Sequence, residues 1–192
     1  MLVALALLLA QTGFSAAEKD CDYNLEAMLA LDQQAFDQDF QGGWRTLSNR
    51  GCYIEAAELI REWRYIKRTH STVLYTHEAQ MRAFAGQTGQ AIDLFRLTYK
   101  SQDFDAEFGW NYYMDGTIAF LERDRAGLTQ AIERLEVVPM PADLIDEDNG
   151  QRKMAWPPNL SVLHAFERCW DKNYAEAYGS PQCYDPAHAG GD

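Results

Sequence analysis

The densest gathering of chemically able side chains is WNYYMDG, Trp110 to Gly116, where three aromatics, an amide and a carboxylate fall within seven residues. Asn111 and Asp115 stand four apart, so on a helix they reach the same side. They are expected either to hydrogen-bond to each other or to form the floor of a site. Asp115 also shares a helical face with Glu122, a spacing that would let two carboxylates work as acid and base, although almost every acidic helix carries such a pair. His70 and His77 would face one way on a single helix, but two donors do not complete a metal site, and His164 and His188 are distant in sequence. The expectation is therefore no metal and no cofactor. The acidic run DLIDEDNG, Asp143 to Gly150, invites calcium. A calcium loop starting at Asp146 would need glycine where Gln151 stands and glutamate where Pro157 stands, so a solvated loop is expected. No Gly-x-Ser-x-Gly elbow occurs, and GQTGQ lacks the lysine of a phosphate-cradling loop.

The charge balance narrows the partners. With 29 acidic against 17 basic residues the formal net charge is −12, which disfavours nucleic acid and anionic lipid and suits either simple solubility or a basic partner. Cys21, Cys52, Cys169 and Cys183 lack the close pairing of zinc ligands; an even count points to disulfides in an oxidising compartment. Of the three possible pairings, Cys21 with Cys52 and Cys169 with Cys183 is favoured, because each ties an end of the chain to the nearest helical element. By loop entropy each bridge stabilises the fold by roughly 3 to 4 kcal/mol. The opening MLVALALLLAQTGFSAA carries an apolar run too short to span a bilayer and small residues at Ser15 and Ala17, the pattern of a signal peptide cut after Ala17. It lacks a basic region before the apolar run, and the alternative is a buried first helix. The expected location is periplasmic or secreted, with no membrane-spanning segment.

These side chains must be positioned by helices. From Leu25 to Val138 apolar residues recur three and four apart, without β-branched runs or Asn-Gly hairpins. GCYIEAAELI and GQTGQAIDLF share a shape: a glycine five residues before an alanine, and a large apolar residue four after it. The alanines, Ala56 and Ala91, lie 35 positions apart, and in RDRAGLTQAI Leu128 takes the same place 37 further on. A small residue lets two helices approach closely, and the glycine permits the turn between them. Helix pairs are expected at Leu25–Asn49 with Tyr53–Lys67, Ser71–Ala85 with Gly89–Tyr99, and Asp105–Glu122 with Arg125–Val137. A long loop then leads to helices at Pro158–Trp170 and Asn173–Tyr178, before a disordered PAHAGGD end.

On these residues the chain resembles a tetratricopeptide-type repeat protein over about Asp37 to Pro141. Tyr112 takes the family's aromatic position and Gly116 its glycine, with Pro139 and Pro141 flanking its closing proline. Tyr75, Ala79, Gly86, Ala91 and Phe95 fit the middle copy; Gly51, Ala56 and Ile60 fit the first, which has Trp44 where the family usually has glycine. The signal, the repeats and the closing WPPNL segment are together similar to exported bacterial proteins. The resemblance implies an all-α fold: a right-handed array of three hairpins within a domain at 18–178, with capping helices at 142–178 and a disulfide-tethered tail at 179–192.

It also implies a concave surface lined by the first helix of each hairpin. The lining positions are Gln38, Gln41 and Arg45, then Val73, Thr76, His77 and Gln80, then Trp110, Tyr113 and Thr117. Amides, a histidine, an arginine and aromatics combine stacking faces with hydrogen-bonding groups and suit an extended peptide or a glycan-like chain. The expected function is an exported, non-enzymatic scaffold that binds a protein or peptide through this face. Two alternatives stand beside it: an envelope hydrolase acting through Asp115, with Trp110 and Asn111 orienting the substrate, and a structural accessory subunit of an envelope complex.

Overall fold

A computed structural model describes residues 20–105, 108–144 and 154–185, so the expected signal peptide, most of the acidic loop and the PAHAGGD end lie outside the described residues. Among the described residues the chain forms eleven α-helices and no strand. It is all-α.

The N-terminal stretch does not form the long helix expected over Leu25–Asn49. It is divided into α1 (Leu25–Ala30), a π-helical turn (Gln34–Gln38) and α2 (Arg45–Ser48). Two local features break it. Leu31 turns extended after α1, and Gly43 adopts a left-handed φ of 51° so close to the Phe36 carbonyl that a Cβ there would collide with backbone. The turn this permits carries Phe36 and Asp37 inward, where both are fully buried.

Five longer helices follow: α3 (Tyr53–Lys67), α4 (Thr72–Phe84), α5 (Thr88–Arg96), then, after the short α6 (Gln102–Asp105), α7 (Trp110–Glu122) and α8 (Arg125–Glu136). Each neighbouring pair packs together: α3 on α4, α4 on α5, and α7 on α8, with α5 against α7. Left-handed residues stand in three of the preceding turns, Gly51 before α3, Gly86 before α5 and Arg123 before α8. The residue five positions on is buried each time: Ala56, Ala91 and Leu128. Helix α7 starts five residues later than expected, because Gly109 is left-handed, with φ 65°, and the Asp105 carboxylate accepts from the backbone N–H of Asn111.

The C-terminal region adds α9 (Leu160–Arg168), α10 (Tyr174–Gly179) and α11 (Pro181–Tyr184). Asn173 and Glu176 form a capping box at the start of α10, which fixes where that short helix begins. The segment expected as a tail therefore contains a helix, and Cys183 within it is buried. Helix α9 packs on α7 and α8, while α10 reaches back to α4. Gly116 allows the approach: a Cβ at that position would sit 2.7 Å from both Leu163 methyls.

Two apolar cores result, one from Phe36, Trp44, Leu47, Leu59, Ile60 and Trp63, the other from α5, α7, α8, α9 and α10 around Phe95, Phe120, Leu135 and Phe166. Phe84 packs against both, stacking on Tyr53 and meeting Tyr174 and Tyr178 edge-on. Two disulfides pin the ends, Cys21–Cys52 and Cys169–Cys183, the pairing expected from the sequence. No helix among the described residues is long and apolar enough to cross a membrane.

Candidate functional site

Six of the residues assigned to the groove meet in one cleft of about 340 Å³, where Val73, Thr76, His77 and Gln80 of α4 face Trp110 and Tyr113 of α7. Thr72 extends the α4 side, and Lys100, Asn159 and Tyr178 complete the wall. Helical spacing explains the α4 set, since positions 73, 76, 77 and 80 share one face. Trp110 and Tyr113 are three apart and meet edge to face, with ring centroids 5.6 Å apart. Gln80 Nε2 lies 3.4 Å from the Tyr178 hydroxyl, a contact that joins α10 to α4 across the cleft. The C-terminal helices thus cover part of the surface that an open array would leave bare.

That covering separates the remaining assigned residues. Thr117 is fully buried and does not line the cleft. Tyr113 keeps only its edge in the cleft; burial pushes its phenol well above the ordinary tyrosine range. Arg45 lies behind His77, its guanidinium over the Trp44 ring at 4.2 Å and its Nη1 donating to the Asp37 carbonyl.

The floor of the cleft has a feature that the sequence reading missed. His77 Nδ1 lies 2.6 Å from Oδ1 of the buried Asp37, which also accepts from Trp44 Nε1 at 2.9 Å. Gln38 donates to Oδ2, and the Arg45 guanidinium stands 3.9 Å from Oδ1. Burial by itself would raise the Asp37 pKa. The His77 hydrogen bond and charge, with Trp44 and Arg45, reverse this and hold the carboxyl below its ordinary value. An ionised carboxylate only accepts, so the proton of this bond sits on His77 Nδ1. Nε2 has no partner among the described residues. Asp37 and His77 are forty positions apart and on different elements, so no periodicity links them; the only local sign is the Gly42–Gly43 pair that forces the turn.

Asn111 and Asp115 each bond to the segment after α5 rather than to each other. The Asn111 amide forms a two-way clamp on Lys100, accepting from its N–H and donating to its carbonyl, both at 2.9 Å. Asp115 accepts from the Tyr99 hydroxyl at 2.5 Å, and Trp110 Nε1 donates to the Thr98 carbonyl at 2.9 Å. Glu122, the other carboxylate on that face, pairs with Arg96 at 2.8 Å. All four side chains hold α5 and the segment after it against α7, and so place Lys100 in the cleft wall. Asp115 and Glu122 also line an open hollow of about 330 Å³ on the far side of that segment. His70 lies before α4 rather than on it, bonded through Nδ1 to the Tyr75 hydroxyl, and does not join His77.

Comparison with known protein families, with curated proteins and with solved structures finds no match to this chain. Among the described residues the one cluster with potential metal-ligating atoms is Cys21, Cys52 and Glu55. Its two sulfurs are bonded to each other, so it offers no thiolate.

Proposed function

We propose that this chain is an exported, non-enzymatic helical-repeat protein of tetratricopeptide-like build, which binds a short segment of a protein or peptide in the cleft between α4 and α7. The observation that carries the reading is the cleft itself. Residues brought from α4, α7, the α5–α6 connection and α10 supply an aromatic pair, an amide, an ammonium group and an imidazole whose orientation is set by a buried carboxylate. Such a mixture of stacking faces and directed polar groups holds a ligand in one pose. The left-handed residues at Gly51, Gly86 and Arg123, each followed by a buried contact residue, support the repeat build. Two disulfides support export.

Size supports a short occupant. About 340 Å³ accommodates one or two side chains or a chain end, whereas α10 stands where an extended peptide would continue. Binding is favoured over catalysis by the state of the hydroxyls: Thr76 Oγ1 is committed to the Thr72 carbonyl, and burial raises the Tyr113 and Tyr178 phenols away from the nucleophilic form. A photo-reactive residue placed at Val73 in the mature protein should crosslink a discrete partner from the native envelope. The same residue at the exposed Glu133 of α8 should not. Equal labelling from both positions, or none from Val73, would sink the proposal.

A further inference from the structure

Outside the cleft, the C-terminal end of α3 and the start of α4 frame a second hollow of about 550 Å³, lined by Arg61, Arg64, Tyr65, Ile66, Arg68, Thr69, His70 and Tyr75. No residue lines both. The chain as a whole is strongly acidic, yet no carboxylate is among the residues that line this hollow. Its positive charge is only partly compensated from behind. Glu78 is shared between Arg64 and Arg82, and Glu58 between Arg61 and Arg82, so two carboxylates serve three guanidiniums. Arg68, exposed and left-handed at φ 51°, adds a fourth guanidinium with no ion-pair or hydrogen-bond partner among the described residues. The carbonyls at the end of α3 offset part of this charge but not a surplus of two.

Aromatic and aliphatic side chains stand among these cations. Arg64 lies over the Tyr75 ring at 3.8 Å, and Tyr75 in turn meets His70. Tyr65 and Ile66 stand exposed at the rim, 78% and 51% accessible, where large apolar side chains gain most from being covered. From this juxtaposition we infer that the α3–α4 hollow is a docking site for an acidic peptide segment, one whose carboxylates meet Arg61 and Arg68 while an adjacent aromatic or aliphatic side chain covers Tyr65 and Ile66. Forked guanidinium–carboxylate pairs supply the selectivity and the apolar rim supplies contact area. The overall negative charge repels acidic chains at long range, so this site selects by contact rather than by steering.

Fluorescence anisotropy with the mature protein and a labelled peptide carrying glutamates around a tyrosine and a leucine tests the inference. The peptide should bind, and its glutamine-for-glutamate counterpart should bind at least about tenfold more weakly. Arg68→Gln and Arg61→Gln should each weaken binding about tenfold, with helicity and melting unchanged because both side chains are exposed. Val73→Glu, in the other cleft, should leave it unaltered. Absence of peptide binding, equal binding of the glutamine peptide, or indifference to Arg68→Gln would overturn the inference. So would displacement of the peptide by phosphatidylglycerol vesicles but not by unlabelled acidic peptide, which would mark a lipid surface instead. Loss on Val73→Glu alone would move the peptide to the α4–α7 cleft and overturn it equally.

Discussion

At the scale of single residues, Asp37 organises the most. A fully buried carboxylate survives there because four neighbours contribute hydrogen bonds or charge, and removing it would leave His77 and Trp44 with unmet polar atoms and Arg45 without its counter-charge. Asp37→Ala should cost about 3 kcal/mol in urea unfolding. The pH dependence follows from its lowered pKa. As pH falls the unfolded chain takes up the proton first, so this contribution is complete above about pH 3.9 and is lost as pH drops through the lower folded value. The acid limb of a stability titration should therefore be flatter in Asp37→Asn than in the wild type. Asn111 gives a local counterpart. Asn111→Ala removes both halves of the clamp on Lys100, and should cost about 1 to 3 kcal/mol and speed exchange of the Lys100 amide proton, read by NMR. Both polar groups of WNYYMDG were legible as candidates in the sequence. Their partners were not, because Tyr99 and Lys100 lie in a connection whose path depends on how α5 docks.

Among the elements, the critical contact is α9 lying on α7 across Gly116. The neighbouring Leu163 is fully buried and has no room to yield. Gly116→Val should therefore lower stability by about 1 to 3 kcal/mol in a thermal melt, through overpacking, even though glycine is the poorer helix former. The glycine's place on a helix was readable from sequence, whereas its contact with α9 was not. Helix α10 is short and gains little from its own hydrogen bonds. It is held by its capping box and by Tyr174 and Tyr178 packing on Phe84 and Phe166. Here the sequence was informative about existence, with Asn173 and Glu176 in capping spacing, and silent about destination. Nothing in the spacing of Tyr174 and Tyr178 says that the helix returns to α4. The first helix was misread for a related reason. Its apolar period runs on past Leu31, but the Gly42–Gly43 turn and the burial of Phe36 stabilise a different path.

For the whole molecule, the two disulfides and the aromatic core set the limits of stability. Each bridge ties a terminal segment to the helices, with sequence separations of 31 and 14 between the partners, and in the loop-entropy model reduction should cost roughly 3 to 4 kcal/mol per bridge. A melt under reducing conditions should shift downward, and Cys169→Ser with Cys183→Ser should reproduce about half of the shift. In alkali the buried phenols govern. Burial raises the pKa of Tyr113, Tyr174 and Tyr178, and lifts Tyr184 to about 12. Above about pH 10 the unfolded chain loses these protons first, so stability falls as pH rises further. Spectrophotometric titration of the ten tyrosines should show part of the set ionising only together with loss of helical signal. The sequence by itself determined the helical class and the close-packed alanines, and favoured one of three cysteine pairings, because periodicity, small residues and chain-end position act over short stretches of chain. Only the tertiary structure decided that α10 packs back on α4, that Asp37 lies beneath His77, and that the three arginines lining the α3–α4 hollow outnumber the two carboxylates paired with them. Each of these joins residues far apart in the chain, and no local pattern encodes which distant side chain will satisfy a buried charge.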